Sequence, residues 1–303
     1  MNKIKIFFSL FLFVFSTAHT FGLTKAQEKK FRQEFSKRGS KLCSGITAKE
    51  LGALTWKNMS DKSGGISGEI SIAEDANKRT WVRKINTRKD RLWQDKNALL
   101  DPVKKSGSWL EKTFGISYLS YMENNPSSLI IPICAVRTDK TKKDWPIYMP
   151  RVVQGFQHTF DIKAGFPGMG DDQAREKSFK KLVGNQKFIT KQDWAQLKKD
   201  FKFLKDNERW DYSLLVGLKL DASNKVAEYQ LKIIDILMKK KSIHRKSSYT
   251  KLENFWKKYI GATESTTAVR TNNKPATKAP KSSKWGKAKT KLSAVSKITK
   301  AQK

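Results

Sequence analysis

Two short apolar segments in the second half of the chain each adjoin a carboxylate that could take part in chemistry. Residues 211–217 begin with Asp and form an apolar run that ends in glycine, and Ile233, Ile234 and Asp235 follow sixteen residues later. Both segments are typical of buried strands on either side of a turn region. A carboxylate at the end of a buried strand is a candidate metal ligand or catalytic group, so Asp235 is the first site candidate.

A glycine-rich hairpin in the first half of the chain has a pattern that suits a nucleotide-covering loop. Its glycines are Gly64, Gly65 and Gly68. They enter a first strand, residues 75–78 form the next turn, and Thr80 to Ile85 predict the returning strand. Glycines let backbone N–H groups approach phosphates, and the returning strand, which contains Lys84, can direct a lysine at them. In a lysine-rich chain such a hairpin can equally be structural, so the pattern alone leaves both interpretations open.

Three short segments follow one another in an order that is informative as a set. They are Phe-Asp-Ile-Lys at residues 160–163, Asp-Tyr-Ser-Leu-Leu-Val-Gly at 211–217 and Ile-Ile-Asp at 233–235. This order resembles the phosphatidylinositol phosphate kinases, which carry Asp-Leu-Lys-Gly-Ser, then Met-Asp-Tyr-Ser-Leu-Leu-Leu-Gly, then Ile-Ile-Asp. Residues 125–136 and 249–257 also resemble family segments, namely Asn-Pro-x-Ser-Leu-Leu-Pro and Lys-Lys-Leu-Glu-His-x-Trp-Lys.

The resemblance implies roles for individual residues in phosphoryl transfer from ATP. That reaction needs a lysine on the nucleotide phosphates, carboxylates that hold Mg²⁺, and a carboxylate near the attacking hydroxyl. Lys84 occupies the position of the family's phosphate-binding lysine, and Met149 would lie near the adenine. Asp161 would accept or orient the substrate hydroxyl, Lys163 would offset charge on the transferring group, and Asp235 would hold Mg²⁺.

The chain also departs from the family pattern. The Gly-Ser of the first motif is Ala164-Gly165 here, a basic stretch at residues 239–246 follows Asp235, and no segment that selects the lipid head group is recognisable after Ile260. The first departure bears on catalytic geometry and the last on which hydroxyl is phosphorylated. From the residues alone, Asp161 could instead be a turn residue, and Asp235 could be a helix cap.

The net charge points to an anionic partner. The chain carries 62 Lys and Arg against 28 Asp and Glu, for a formal net charge of +34, and residues 262–303 alone contain eleven basic residues against one Glu. The positive charges of such a chain repel one another unless nucleic acid or an anionic membrane surface is present to neutralise them. Because residues 262–303 have almost no large apolar side chains, we expect this tail to be disordered when alone.

The first residues have the layout of a secretory signal. Two lysines precede an almost wholly apolar run at residues 6–15, and a small-x-small cleavage site follows at residues 16–18. Residues 1–22 are therefore predicted to be a signal peptide. A membrane anchor is the alternative, because residues 6–24 contain no charged side chain.

Cysteine and histidine usage argues against metal chemistry based on these residues. Cys43 and Cys134 are the only cysteines. Since Cys134 lies in an apolar run, we expect two buried thiols rather than a disulfide. His158 and His244 lack neighbouring ligands in the sequence, so no zinc site is expected, and the chain has no P-loop, Gly-x-Ser-x-Gly or zinc-protease pattern.

These observations predict an α+β fold with antiparallel sheets in two kinase-like lobes, similar to the phosphatidylinositol phosphate kinases and SAICAR synthase. The predicted divisions are a signal peptide at 1–22, a helical segment at 23–59, an N-lobe at 60–153, a C-lobe at 154–261 and a basic tail at 262–303. An amphipathic helix with Phe31 and Phe35 on one face should end at Gly39. Strands should dominate residues 64–153, and a helix should span residues 191–207.

The predicted activity is MgATP-dependent phosphorylation of a phosphoinositide head group at an anionic membrane. Because compartments outside a producing cell hold little ATP, export would imply an effector that acts on another cell's membranes. One alternative is a degenerate kinase fold that docks on anionic lipid without turning over ATP. A third interpretation, nucleic-acid binding through residues 262–303, is not the expected one. The preferred phosphoinositide and the oligomeric state are left open by the sequence.

Overall fold

The computed structural model describes residues 23–59, 68–86, 95–103, 107–137, 145–163, 170–209, 213–237, 245–262 and 269–270. All of them belong to one compact unit, residues 1–272. Helices and largely antiparallel sheets make up this unit, which confirms the predicted α+β class. No helix in these ranges is long and apolar enough to cross a membrane. The predicted signal peptide, Gly64, Gly65, Ala164 and residues 271–303 lie outside the described residues.

Two helices begin the described chain. They are α1 (Lys25–Leu42) and α2 (Ala48–Ala53). Each starts with a capping box, in which Thr24 or Thr47 accepts a hydrogen bond from the backbone three residues on and a Gln or Glu side chain bonds back. Phe31 and Phe35 are fully buried on one face of α1, as their four-residue spacing predicts.

Helix α1 continues three residues beyond Gly39, so the predicted end of this helix was wrong. Gly39 is needed inside the helix because a Cβ atom there would lie 2.5 Å from the carbonyl oxygen of Cys134. This close approach accompanies a disulfide between Cys43 and Cys134, whose Cα atoms are 5.5 Å apart. The prediction of two free thiols was therefore wrong, because packing of α1 brings together residues that are 91 positions apart in sequence.

A five-stranded antiparallel sheet follows α2. Its strands are β1 (Lys57–Asn58), β2 (Gly68–Glu74), β3 (Thr80–Asn86), β4 (Ala135–Val136) and β5 (Ile147–Pro150), in the order β1-β2-β3-β5-β4. Strand β3 confirms the returning strand that the hairpin pattern predicted. One face of this first sheet packs Trp81 and Tyr148 against α1 and α2, in a small core with Ile46 and Leu51. Because side chains alternate along a strand, Lys84 belongs to the opposite face.

Two helices interrupt the region where strands were expected to dominate. They are α3 (Asp95–Leu100) and α4 (Phe114–Asn124). Thr113 caps α4, and every residue from Phe114 to Leu119 is buried. A helix surrounded by protein lacks the polar stripe that produces a 3.6-residue period, so α4 was not predicted, although strands still account for more of the described residues in 64–153 than helices do.

A second sheet carries the three motif segments. Its strands are β6 (His158–Ile162), β8 (Ser213–Leu220), β9 (Val226–Ile234) and β11 (Val269–Arg270), in the order β11-β9-β8-β6. Pairs β6–β8 and β8–β9 are antiparallel, and the short β11 is parallel to β9. The expectation that the whole segment from residue 262 is disordered was therefore wrong for residues 269–270, because they pair with β9. Strands β8 and β9 therefore confirm the two buried strands that the motif segments predicted.

Three helices and a short strand pair accompany the second sheet. They are α5 (Gly170–Val183), α6 (Lys191–Asp206), α7 (Arg245–Lys257), β7 (Ile189–Thr190) and β10 (Ile260–Ala262). Helix α6 confirms the prediction for residues 191–207, with Leu197, Phe201 and Leu204 buried on one face. Phe179 of α5 contacts the rings of Trp256 and Tyr259, so α5 and the C-terminal end of α7 share the main core.

Candidate active site

The register of the second sheet places two predicted site residues at the same end of that sheet. Asp161 is the penultimate residue of β6, and Asp235 directly follows β9. Strand β8 lies between them, with its first residue, Ser213, paired with Ile234. Because both pairings are antiparallel, the ends of β6 and β9 and the beginning of β8 lie side by side.

Asp235 has a backbone conformation that changes the direction of the chain. Its φ angle is 58°, in the left-handed region that residues other than glycine rarely adopt, although Asp is tolerated there better than most. Strand β9 ends at the residue before it, and the next two residues, Ile236 and Leu237, are buried in the core. The Asp235 side chain remains 35% exposed, so the turn leaves a carboxylate accessible at the end of a buried strand.

An ion pair joins this carboxylate to the first sheet. Lys84 Nζ donates a hydrogen bond to Asp235 Oδ1 at 2.9 Å, although the two residues are 151 positions apart in sequence. The Lys84 side chain is only 16% exposed, and β3 holds its backbone through pairing with β2 and β5. The predicted phosphate-binding lysine and the predicted Mg²⁺ ligand are thus in direct contact.

The charge state of Asp235 follows from a balance of opposing effects. Burial raises the pKa of this carboxyl, but the positive charge of Lys84, its hydrogen bond and the charge of Lys163 together outweigh burial and hold the pKa below its usual range. Asp235 is therefore ionised at neutral pH, as a ligand for a hard cation must be.

Asp161 has the opposite tendency. Burial raises its pKa and the negative charge of Asp235 adds to that effect, while the Ser213 hydroxyl, Lys163 and Arg175 oppose it. Arg175 Nη1 lies 3.6 Å from Asp161 Oδ2, whereas Asp161 Oδ1 is buried and has no hydrogen-bond partner within the described parts of the chain. Neighbouring carboxylates whose environments shift their pKa values in opposite directions are suited to different roles, one as a permanently ionised group and the other as a proton acceptor.

The exposed face of the first sheet offers an apolar surface next to Lys84. Val82 is two residues before Lys84 in β3 and pairs with Met149 in β5, so these side chains share one face. Ile70 and Ile72 of β2 lie opposite Lys84 and Val82 on that face. The side chains of Ile70, Ile72, Val82 and Met149 are all partly exposed. This face can therefore bind a flat apolar group beside a cation, in agreement with the role that the resemblance implies for Met149.

The glycine-rich loop is only partly described. Gly68 is the first residue of β2 and pairs with Asn86, the last residue of β3. Gly64 and Gly65 lie outside the described residues, so their predicted contact with phosphates stays a prediction.

Asp235 is suited to a Mg²⁺ ion that is brought in by a nucleotide, rather than to one held by protein ligands alone. The described residues include no group of three or more His, Cys, Asp or Glu that could hold a metal. Mg²⁺ in phosphoryl-transfer sites takes one or two carboxylates and completes its shell with phosphate oxygens and water. Asp235, which is ionised and partly exposed, provides such a carboxylate.

Sequence reasoning missed two residues at this site. Ser213 lies within the motif at residues 211–217, and pairing that motif with residues 233–234 as a hairpin would have placed it beside Asp161. Arg175 had no such signal, because one arginine on α5 among several lysines does not stand out in so basic a chain. Asp211, which precedes Ser213 by two positions, lies outside the described residues.

Comparison with known families identifies one matching family model. The family model for Phosphatidylinositol-4-phosphate 5-Kinase matches residues 103–300. The match covers more than half of the chain, includes Met149, Asp161 and Asp235, and continues beyond Ile260, where the sequence by itself revealed no family segment. Lys84 precedes the matched region, so its assignment rests on the hairpin and on its ion pair. No curated protein matches the chain.

Proposed function

The chain belongs to the phosphatidylinositol phosphate kinase family, a family of lipid kinases, and we propose that it transfers the γ-phosphoryl group of ATP to a hydroxyl of a phosphoinositide head group. The observation that carries this proposal is the 2.9 Å contact between Lys84 Nζ and Asp235 Oδ1. This contact brings the apolar face of the first sheet to the end of the second sheet that carries Asp161. When bound, Mg²⁺ would neutralise charge on the phosphates and would be held by Asp235.

Lys84 and its neighbours would bind the nucleotide. The Lys84 ammonium is held by β3 and by Asp235, so it can donate hydrogen bonds to phosphate oxygens without first being ordered. Val82 and Met149 would contact the adenine from the same face and exclude water from it. A preorganised cation in a partly buried position stabilises developing charge better than a mobile surface lysine does.

Asp161 would act on the attacking hydroxyl. Its pKa is raised by burial, so its carboxylate is a better proton acceptor than an ordinary surface aspartate. The proton of the head-group hydroxyl would pass to Asp161 Oδ1, the oxygen without a hydrogen-bond partner in the described residues. Lys163 and Arg175, whose charges act on Asp161, would offset the charge of the phosphoryl group in transfer.

Nucleotide binding tests this proposal and separates it from a module that binds lipid without catalysis. Mg-ATP should raise the thermal unfolding midpoint of the wild type, and Lys84→Ala should abolish that shift. Lys219→Ala is a matched control, because Lys219 pairs with Glu228 at 2.8 Å elsewhere in the β8–β9 hairpin. The control variant should keep the shift. If the wild type shows none, the chain would instead be a kinase-fold module that docks on anionic lipid.

We further propose that the substrate is reached at an anionic membrane surface. The net charge of +34 supports this, because each Lys or Arg near an anionic leaflet contributes on the order of 1 kcal/mol. Residues 262–303 carry eleven of these basic groups and would tether the protein to the surface. Binding to vesicles with phosphoinositide, but not to neutral vesicles, is the expected result.

We also propose that the protein is exported and works in another cell. The signal-like layout of residues 1–22 supports export, and so does the Cys43–Cys134 disulfide, because disulfides form and persist in oxidising compartments. A need for ATP then implies action in a second cell's cytosol. Fractionation of producing cells tests this, and a mature protein confined to the producer's own cytosol would contradict it.

A further inference from the structure

We propose that Asp200 of α6 is a positioning residue, which fixes the crossover segment (residues 127–136) and thereby sets the separation of Lys84 and Asp235. This inference rests on the proposed function only for its kinetic consequences. The structural part concerns how the two sheets are joined and can be tested without activity.

Asp200 is a fully buried carboxylate that accepts four hydrogen bonds. Its Oδ1 atom accepts from Tyr121 Oη at 2.6 Å, from Ser128 Oγ at 2.9 Å and from Gln196 Nε2 at 2.9 Å. Its Oδ2 atom accepts from the backbone N–H of Leu129 at 2.7 Å. Four donors offset much of the desolvation of a buried carboxylate, and two of them belong to the crossover segment.

The crossover segment is hydrogen-bonded to the strand that ends at Asp235. The N–H of Ile233 donates to Leu129 O at 2.8 Å, and the N–H of Ile131 donates to Ile233 O at 2.9 Å. Ile130 forms a parallel bridge with Ile233, which lies two residues before Asp235. Asp200 therefore holds a backbone segment that in turn holds the end of β9.

The same segment continues into the first sheet. The N–H of Cys134 donates to Tyr148 O at 2.8 Å, and the segment ends in β4, which pairs with β5. Strand β5 pairs with β3, where Ile147 is opposite Lys84. One short stretch of chain thus connects the strand of Lys84 to the strand of Asp235.

Tyr118 of α4 fixes the middle of this stretch. Its buried hydroxyl donates to Ile131 O at 2.8 Å and accepts from the N–H of Ile133 at 2.8 Å. The crossover segment is therefore held at its start by Asp200, in its middle by Tyr118 and at its end by β5. Asp200 bonds Leu129 and Tyr118 bonds Ile131, and both of these segment residues are hydrogen-bonded to Ile233. Loss of the Asp200 contacts should therefore act on the position of Asp235 through Leu129.

The test compares Asp200→Asn with Asp193→Asn. Asn keeps the size of the side chain but replaces one accepting oxygen with an NH₂ donor. That donor would face the N–H and O–H donors around position 200 and could not bond to them. Asp193 is also a buried carboxylate of α6, about two turns earlier, and it accepts from Tyr229 Oη. Both variants should unfold at lower denaturant concentration than the wild type.

Two measurements distinguish positioning from general loss of stability. When the two variants are compared at equal free energy of unfolding, amide hydrogen exchange of Ile131 and Ile233 should be faster in Asp200→Asn than in Asp193→Asn. The KM for ATP should rise roughly 10- to 100-fold in Asp200→Asn alone, because small displacements of positioned groups have effects of that size. If Asp200→Asn does not fold, Tyr121→Phe and Ser128→Ala each remove one donor and should shift both measurements in the same direction.

The proposal would be overturned if Asp193→Asn changed amide exchange and KM as much as Asp200→Asn does. Unchanged exchange of Ile131 and Ile233 in every variant at the Asp200 cluster would overturn it as well. Absence of turnover in the wild type would count against the proposed kinase activity, whereas the exchange result would still decide the role of Asp200.

Discussion

Removal of the Cys43–Cys134 disulfide should lower stability by a large and calculable amount. The bridge closes a loop with a sequence separation of 91 residues, and the loss of loop-closure entropy from the unfolded chain for that length corresponds to about 4.6 kcal/mol at 25 °C. Domains of this kind are typically stable by about 5–15 kcal/mol, so the bridge would supply a substantial part of the total. The double variant Cys43→Ser/Cys134→Ser should therefore be much less stable than the oxidised wild type.

Urea unfolding, followed by tryptophan fluorescence, measures this difference. Oxidised wild type, wild type reduced with dithiothreitol and the double variant should be compared. The last two should resemble each other and lose about 2–5 kcal/mol of unfolding free energy, which is the typical cost of removing a native disulfide. Thiol titration in denaturant provides the control, and the unreduced protein should show no free thiol. A reduced protein with the same unfolding midpoint as the oxidised one would refute the reasoning.

Three further predictions concern the site and the tail. Asp161→Asn should lower kcat by about 10²- to 10⁴-fold in a vesicle phosphorylation assay while Mg-ATP binding persists, because a general base contributes that much to rate, and loss of binding would contradict this role. The pKa of Asp235 is lowered on folding, so its ionised carboxylate should stabilise the folded protein above pH 3.8, the unfolded pKa. This stabilisation should be lost as the pH falls through the folded pKa. Lys84→Met should weaken this pH dependence of stability, measured by urea unfolding between pH 2 and 6. Deletion of residues 273–303, which keeps β11, should weaken vesicle binding and its salt sensitivity but spare turnover of a short-chain substrate. Neutralising residues 239–241 should instead reduce turnover of both substrates, and equal losses from both changes would show that tail and site are not independent.

The parts of the site that sequence reasoning located are those with a local pattern. Strand β9 and its terminal Asp235 follow from a β-branched pair ahead of a carboxylate, and β3 with Lys84 follows from a turn and a returning strand. Their 2.9 Å contact spans 151 positions and has no local signature, so the resemblance alone suggested that both belong to one site.

The features that the sequence did not reveal depend on tertiary packing. The disulfide follows from the approach of α1 to Cys134, which requires Gly39 and cannot be read from cysteine spacing. Residues Phe114 to Leu119 of helix α4 are all buried, so this part of the helix has no polar stripe. Asp200 is one of many charged residues along α6, and only the surrounding donors show that it is buried for a reason.

Phosphate transfer to lipid tests the central claim most directly. Radiolabelled ATP and Mg²⁺ should be supplied with vesicles that contain phosphatidylinositol or, separately, its monophosphates and bisphosphates. We expect the wild type to label at least one phosphoinositide and both Lys84→Met and Asp161→Asn to lose this labelling, while Lys219→Ala retains it. Absence of labelling with every lipid, or labelling that survives both site substitutions, would contradict the assignment of this site as the centre of a phosphoinositide kinase.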